Sequence, residues 1–236
     1  MAQTITIDFS KPIPVFPLPG VVLMPHAATP LHIFESRYRA MTNHALDSNG
    51  LIAMATPRQH EGPAEHPEYE AEDQPLLDDV VCVGYIGRHQ SAGDGRYHIL
   101  LQGLTRARLT RELPLHADGY RLALLQPIPT DDVPDVAVEA ARDRLVELVN
   151  DDDLQQLSVI KMAREWIEHD LPAVALIDLL TQGLCTDGDV RYACLAEDNP
   201  IERARRLERF LRHTRDLIRA AGDPEDGTDD RGLPLN

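Results

Sequence analysis

The fold is decided near the start of the chain, where residues 14–25 read PVFPLPGVVLMP and residues 30–38 read PLHIFESRY. Short apolar runs alternate here with prolines. Each proline removes a backbone donor and fixes a bend in the chain. Such runs are typical of bulged strands or of strands at the edge of a sheet. We therefore expect β structure at the start of the chain, with candidate free edges in its proline-punctuated strands.

Immediately after this opening, residues 34–46 change the period of the apolar pattern. Apolar residues recur there at spacings of four, three and four, as on one face of a helix. The members of this stripe are Phe34, Tyr38, Met41 and Ala45. The pattern predicts a short helix embedded between strands.

The rest of the first half continues the β pattern, with apolar runs of strand length separated by Gly and Pro turns. These predicted strands are residues 13–16, 21–24, 51–55, 80–86, 97–101, 107–110 and 120–127. Residues 91–95 read SAGDG, and the Asp-Gly pair favours a tight turn. We expect an antiparallel hairpin at this point.

After Pro127 the period becomes helical and remains so almost to the end of the chain. A β-rich half followed by a helical half predicts an α+β fold of two subdomains. We assign residues 1–127 to the β-rich subdomain, 128–222 to a helical bundle and 223–236 to a flexible tail.

Three helix starts carry recognisable caps. Asn199 before Pro200, with Glu202 three residues after the cap, predicts the start of the last helix. Thr186, with Asp189 three residues on, resembles a capping box. Three aspartates, residues 151–153, suit a helix start because the macrodipole favours acidic groups there.

Charge and composition narrow the function classes. The 236 residues include 39 acidic and 23 basic side chains, a formal net charge of -16. This charge repels polyphosphate at long range, so nonspecific nucleic-acid binding would need a segregated basic face. Aromatic residues make up only 5%, which argues against stacking on nucleobases.

The absence of a recognisable targeting signal and the pattern of cysteines both bear on the cellular location of the protein. The first ten residues lack a basic segment followed by an apolar one, and no run approaches a membrane span. The three cysteines include no CxxC pair, which argues against a disulfide framework and a structural zinc site. We expect a soluble, cytoplasmic protein without a membrane partner.

The opening residues 14–25 and 30–38 resemble the start of the Lon protease amino-terminal, substrate-binding domain. Residues 83–87, VGYIG, and 95–108, GRYHILLQGLTRAR, resemble its next strand and hairpin. Segments of the helical half resemble the later helices of the family, so the resemblance covers nearly the whole chain. It implies a β-rich PUA-like pseudo-barrel followed by a helical bundle, and a role in recognising unfolded substrates.

The chain departs from full-length Lon in its catalytic parts. It contains no G-x-x-x-x-G-K-[ST] phosphate loop, and it ends before a Ser-Lys peptidase module could begin. We expect a stand-alone, noncatalytic member of the family rather than an enzyme. Its expected partners are unfolded polypeptide or a partner protein, and an ATP-dependent protease or chaperone to which it acts as an adaptor.

The candidate peptide-binding residues are Phe34, Glu35, Arg37 and Tyr38, at the predicted start of the embedded helix. Two interpretations are open. These patterned apolar and paired charged groups would either fasten the helix to the barrel or contact a peptide.

Other candidate sites are weaker. His60 and His66 lie among glutamates in the proline-containing stretch 57–74, which reads as a solvated loop without the spacing of a metal site. Cys82 lies in an apolar run and reads as a small buried hydrophobe. We therefore predict no metal and no cofactor.

Two alternative functions remain. The last predicted helix contains seven arginines against three acidic residues, a basic face that could contact RNA, as PUA-like folds in general can. The other alternative is a small-molecule sensor or enzyme that uses the barrel cleft, with stretch 57–74 as a lid.

Overall fold

A computed structural model describes residues 5–58 and 75–222 of the chain. Within these residues the fold is α+β, as the sequence predicts. The strands are β1 (Ile13–Pro17), β2 (Ala28–Ile33), β3 (Leu51–Ala55), β4 (Val80–Ser91), β5 (Tyr97–Glu112) and β6 (Arg121–Pro127). The helices are α1 (Ser36–Leu46), α2 (Asp135–Val149), α3 (Ser158–Glu168), α4 (Ala173–Leu184), α5 (Gly188–Leu195) and α6 (Pro200–Gly222).

The strands form a closed sheet with one additional strand. Their order is β2-β5-β4-β3-β1-β6, and a further pairing between β5 and β6 closes the barrel. One edge of β5 pairs with β4, while the other pairs with β2 through residues 97–102 and with β6 through residues 107–112. All neighbours are antiparallel except β1 and β3, which are parallel. The result is the predicted β-rich pseudo-barrel.

The sequence pattern predicts no strand at residues 28–33, where β2 lies, and the expectation of a free edge is wrong for β1. β2 contains Pro30 and pairs only with β5 among the described strands. β1 contains Pro14, yet it pairs with β3 on one side and with β6 on the other. Closure of the barrel supplies β1 with two neighbours, and no local pattern could show this.

Residues 21–24 form no strand, contrary to the sequence prediction, although Val22, Leu23 and Met24 are buried. This irregular segment lies against α4, where the Met24 amide donates to Gln182 Oε1 at 2.8 Å. It also approaches Gly103 of β5 so closely that a Cβ there would lie 2.1 Å from the Met24 carbonyl oxygen. Residues 21–24 are apolar because they are enclosed between β5 of the barrel and α4 of the helical half.

The embedded helix begins two residues later than predicted, at Ser36. Met41 and Ala45 are fully buried, as the helical stripe requires. Phe34 lies between β2 and α1 and is 59% exposed. The prediction that Phe34 belongs to the apolar face of the embedded helix is therefore wrong. The helix cannot include Phe34 because β2 pairing extends to Ile33.

The predicted hairpin is confirmed between β4 and β5. The Ala92 amide donates to the Arg96 carbonyl at 2.9 Å, and Gly93 and Gly95 have φ angles of +75° and +81°. Only glycine adopts such angles readily. The two predicted strands at 97–101 and 107–110 are one strand, β5, because its neighbours change along its length while its backbone remains extended.

The helix caps have mixed outcomes. Asn199 Oδ1 accepts from the Ile201 amide at 2.9 Å, which confirms the predicted start of α6. The cap of α5 is Asp187 rather than Thr186, because Asp187 Oδ1 accepts from the amides of Asp189 and Val190. The prediction for Thr186 was wrong by one residue.

The barrel and the helices are joined by an apolar contact of α5 and by a buried ionic cluster. Cys194 and Leu195 of α5 pack in the same apolar cluster as barrel residues such as Leu23 and Ile99. Beside it, Arg106 Nη2 of β5 donates to both oxygens of Asp178 on α4, at 2.9 and 3.0 Å.

Arg203 Nε of α6 lies 3.1 Å from Asp178 Oδ1, so one carboxylate joins three elements. Arg203 and Asp178 are fully buried and Arg106 almost so. Burial lowers the pKa of Arg203 to about 10, at which the guanidinium still carries its charge at neutral pH.

Candidate functional site

The four predicted site residues lie on one surface, where β2 ends and α1 begins. Phe34 projects into solvent directly after the edge strand. Arg37 Nε donates to Glu35 Oε2 at 3.0 Å, and the Arg37 guanidinium lies 4.9 Å from the centre of the Tyr38 ring. The structure therefore brings Phe34, Glu35, Arg37 and Tyr38 together.

Tyr38 is the innermost of the four. Its half-buried ring lies 4.5 Å from the ring of Phe16 in β1, centre to centre, in a tilted contact. Its backbone carbonyl accepts from Thr42 Oγ1 at 2.8 Å. Burial raises the pKa of the Tyr38 hydroxyl, so the side chain is neutral at physiological pH. Tyr38 thus has the packing expected of a group that joins helix to barrel.

Two cavities open beside Tyr38, with volumes of about 470 Å³ and 180 Å³. They share Leu18, Glu35 and Tyr38 as a common wall. The smaller cavity is bounded by β2 and by the ring of Phe34, and it is mainly apolar. One surface therefore offers an apolar recess and a larger, more polar one.

The larger cavity includes residues that the sequence reasoning missed. Arg121 lines it, and its Nη1 donates to the Pro75 carbonyl at 2.7 Å while its Nε donates to Glu112 Oε2 at 2.8 Å. Tyr120 lines it too, and its hydroxyl is hydrogen-bonded to His44 Nδ1. The sequence feature that could have marked this cavity is Arg121, a charged residue at the start of β6, which is otherwise apolar apart from Gln126.

The outer edge of β2 has a definite pattern of backbone groups. The Gly103 amide donates to the Ala27 carbonyl at 2.8 Å, and hydrogen-bonded pairs alternate along an antiparallel ladder. By this alternation residues 28, 30 and 32 direct their backbone groups away from β5. Pro30 fits, because it has no amide to donate on either side. The edge presents carbonyls at all three positions and amides at Ala28 and His32.

Exposed apolar side chains lie among the residues that line the two cavities, or next to them in sequence. Phe34, Leu76 and Leu115 are 59%, 54% and 42% exposed. Leu115 lines the larger cavity, and Leu76 follows Pro75, which also lines it. Clustered exposed apolar side chains are typical of binding surfaces. We call the free edge of β2, Phe34, Tyr38 and the two cavities the β2 edge surface.

The cysteines have no nucleophilic environment. Cys82, Cys185 and Cys194 are free and buried. Burial raises the pKa of Cys82 and of Cys194 to about 12, and it also raises the pKa of Cys185. Thiolates are the reactive species, so burial and a raised pKa both disfavour reaction of these groups in the native fold.

The metal prediction is tested only in part. Among residues 5–58 and 75–222, no three His, Cys, Asp or Glu side chains are grouped as metal ligands. His60 and His66 lie outside the described residues.

The arginine-rich face of α6 is largely engaged within the protein. Arg203 is buried at Asp178, as described above. Four further arginines form ion pairs, which are Arg205 with Glu202, Arg206 with Glu197, Arg215 with Asp151 and Asp216, and Arg219 with Asp151 and Asp153. Within residues 5–58 and 75–222, five of the seven arginines of α6 are therefore paired, and Arg209 and Arg212 are exposed outside these pairs.

The three aspartates combine a local capping contact with contacts to α6. Asp151 Oδ1 accepts from the Asp153 amide at 3.1 Å, a capping contact of the kind that the sequence predicts. Asp153 precedes a 3-10 turn without capping it by its side chain. The carboxylates of Asp151 and Asp153 also bind α6, a tertiary role that the local pattern did not reveal.

In the part of the chain that the structure describes, no helix has both the length and the apolar character needed to cross a bilayer.

A closed β-barrel with one additional strand, followed by a helical bundle, defines the α+β fold of the described residues. The family model of the ATP-dependent protease La (LON) substrate-binding domain matches residues 12–213. The chain belongs to this family.

Individual relatives agree with the family match. Lon protease of Chloroflexus aggregans is 23% identical over 210 residues, which cover 88% of this chain and 24% of that protein. Lon protease 2 of Syntrophobacter fumaroxidans is 27% identical over 129 residues, covering 53% of this chain and 15% of that protein. The chain therefore spans less than a quarter of the length of these relatives.

Solved structures share the fold. The N-terminal domain of Mycobacterium avium complex Lon protease superposes with a TM-score of 0.62 at 16% identity. The Lon N-terminal domain protein from Xanthomonas campestris superposes with a TM-score of 0.53 at 19% identity. Each match covers 86% of this chain and 98% of the other.

Proposed function

We propose that this protein is a noncatalytic binding module that captures extended segments of unfolded polypeptide at the β2 edge surface. The observation that carries the proposal is the coincidence of a free strand edge with an exposed Phe34 and two cavities. The family match to a substrate-binding domain supports the same class of function.

The backbone of β2 would supply affinity that does not depend on client sequence. A client strand added to this edge would donate to the carbonyls of residues 28, 30 and 32 and accept from the amides of Ala28 and His32. Pro30 provides no donor, so pairing is weakened at its centre. A weak, sequence-tolerant edge suits a module that must release its clients.

The apolar groups would supply the preference for unfolded chains. The smaller cavity lies beside Phe34, and it would take one apolar side chain of the client. Such side chains are exposed in unfolded polypeptides and buried in folded ones. The surface would therefore select for the folding state of a client.

An adaptor role, in which captured clients pass to an ATP-dependent protease or a chaperone, is part of the proposal. A cytoplasmic location remains a prediction from the three cysteines, and an absence of enzymatic activity remains one from the sequence motifs. Purified protein is expected not to hydrolyse ATP or degrade casein.

The decisive test is Phe34→Ala. Binding is measured by fluorescence anisotropy with a labelled, reduced and carboxymethylated polypeptide that cannot fold. Loss of an exposed aromatic contact should weaken binding by about 1 to 2 kcal/mol, roughly 5- to 30-fold. The melting temperature should change little, because Phe34 is 59% exposed.

Leu217→Ala is the matched control. Leu217 is 58% exposed and lies on α6, away from the β2 edge surface. Equal affinities of Phe34→Ala and the parent protein would refute the proposed site. Equal losses from both variants would indicate nonspecific apolar adhesion.

A second candidate function is small-molecule binding in the larger cavity. Its volume of about 470 Å³ is within the usual range for ligand sites, and Glu35, Arg37 and Arg121 line it. Thermal-shift screening against charged metabolites would test it. A hit whose stabilising effect is lost in Arg37→Ala but kept in Phe34→Ala would separate this function from client capture.

A further inference from the structure

Two histidines face each other across the exposed side of the β2–β5 pair. His32 of β2 is directly opposite His98 of β5 in the strand register. Their rings stack with centroids 4.6 Å apart and planes inclined by only 10°. Both side chains are exposed, so an ion in solution can reach them.

The register places their Cβ atoms close together. Pro30 is opposite Leu100 and has no amide to donate, so these two residues form a non-hydrogen-bonded pair. Pairs of one kind recur every second residue along an antiparallel ladder, so His32 and His98 also form a non-hydrogen-bonded pair. Side chains of non-hydrogen-bonded antiparallel pairs are nearer to each other than those of hydrogen-bonded pairs. The backbone therefore holds the two imidazoles side by side.

Both imidazoles are available as ligands. The ring hydrogen bonds found in the described residues belong to His44, His116 and His169. A neutral imidazole keeps one nitrogen lone pair that can bind a metal. These lone pairs lie in the ring planes, which are nearly parallel in the stack, so the rings must turn about χ2 before one nitrogen of each reaches the same ion. Both side chains are exposed, which leaves room for this rotation.

The neighbouring groups include a third donor. Gln90 of β4 is opposite His98, so the three side chains form one row across three strands. Its amide oxygen is a candidate ligand. Arg88 is opposite Leu100, one row away on the same face, and it is the nearest cation given by the register.

We propose that His32 and His98 form a two-histidine site for a divalent transition-metal ion such as Cu²⁺, Ni²⁺ or Zn²⁺. Each histidine provides one nitrogen, and water or the Gln90 amide oxygen completes the coordination. Imidazole suits these ions, and affinity should be highest for Cu²⁺. The ion would cross-link the edge strand β2 to β5. This site does not depend on the proposed client binding.

The test uses full-length, untagged protein carrying His60→Gln and His66→Gln, which removes the histidines of the stretch outside the described residues. Calorimetric titration with Ni²⁺ measures affinity, and electron paramagnetic resonance with Cu²⁺ counts the coordinating nitrogens. We expect one ion per chain and coupling to two imidazole nitrogens. Saturating Ni²⁺ should also raise the melting temperature, because the native state binds the ion.

Single substitutions assign the site. His32→Gln and His98→Gln should each weaken Ni²⁺ binding at least about tenfold, since each removes one of two nitrogen ligands. His89→Gln is the control, because His89 is exposed on β4 but opposite Ile99 rather than in the histidine row. It should leave affinity unchanged.

Circular dichroism checks that each variant is folded. Folded His98→Gln protein with parent-like Ni²⁺ affinity would overturn the proposal, as would a Cu²⁺ spectrum with coupling to a single nitrogen. An equal loss of affinity in His89→Gln would overturn it too, since binding would then be distributed over surface histidines.

Discussion

Removing the carboxylate of Asp178 should destabilise the whole protein, because this group is the shared counter-ion of two buried arginines between barrel and helices. Asp178 is fully buried and contacts Arg106 and Arg203. In Asp178→Ala two guanidinium groups would remain in the interior without their counter-ion. The low dielectric of the interior makes such a state costly.

The magnitude follows from the burial of these groups and from the interactions that the substitution removes. Asp178→Ala eliminates two hydrogen bonds, at 2.9 and 3.0 Å, and an ion pair at 3.1 Å. Breaking a buried pair by deleting one partner costs about 3 to 5 kcal/mol. That is a large fraction of the roughly 5 to 15 kcal/mol by which a protein is stable. For a chain of this size we expect the melting temperature to fall by about 6 to 20 °C.

The assay is urea unfolding followed by two probes. Trp166, the single tryptophan, lies on α3 against Gly183 of α4, so its fluorescence reports on the bundle. Far-ultraviolet circular dichroism reports on barrel and bundle together. Because the cluster joins the two subdomains, both probes should shift to lower urea.

Asp216→Ala is the matched control, because Asp216 forms an exposed ion pair with Arg215 on α6. It should change stability by less than about 1 kcal/mol. A loss below about 1 kcal/mol in Asp178→Ala would refute the reasoning, since it would mean that water reaches the two arginines. A shift of Trp166 fluorescence alone would show that the subdomains unfold separately.

Three further predictions concern packing, thiols and the half-buried tyrosine. Gly103→Ala should lower the free energy of unfolding by about 1 to 3 kcal/mol, because the new Cβ would lie 2.1 Å from the Met24 carbonyl oxygen. Gly188→Ala is the control, since no atom lies within 4 Å of its Cβ position, and it should leave the free energy of unfolding nearly unchanged in the same urea assay. At pH 8 all three cysteines of the native protein should react slowly with Ellman's reagent, because burial raises the pKa of each thiol. In 6 M guanidinium the unfolded chain no longer buries the thiols, and the reaction should be rapid. A rapid reaction of the native protein would contradict the burial. Tyr38→Ala should weaken client capture by about 1 to 2 kcal/mol and also lower the melting temperature; a lower melting temperature with unchanged affinity of the folded fraction would show that Tyr38 only fastens α1 to the barrel.

Much of the local structure was predictable from sequence. The Asp94-Gly95 pair marked the β4–β5 hairpin, and Asn199 marked the start of α6. Both depend on interactions within a few residues, namely a positive φ angle and a side chain that accepts from nearby amides. The candidate residues Phe34 and Tyr38 were also identified from sequence, although Phe34 was placed on the wrong side of the helix boundary.

The α+β class, the change from strands to helices near Pro127 and the family resemblance could all be read from the sequence, because periodicity, turn residues and motifs are properties of neighbouring residues. The closed barrel was needed to establish that β1 has two neighbours while β2 has one among the described strands, because that depends on which strands meet. Folding also determined that Arg203, one of several arginines on one helix, is fully buried. Its partner Asp178 lies 25 positions earlier in the chain, and no local pattern encodes a contact made by folding two distant segments together.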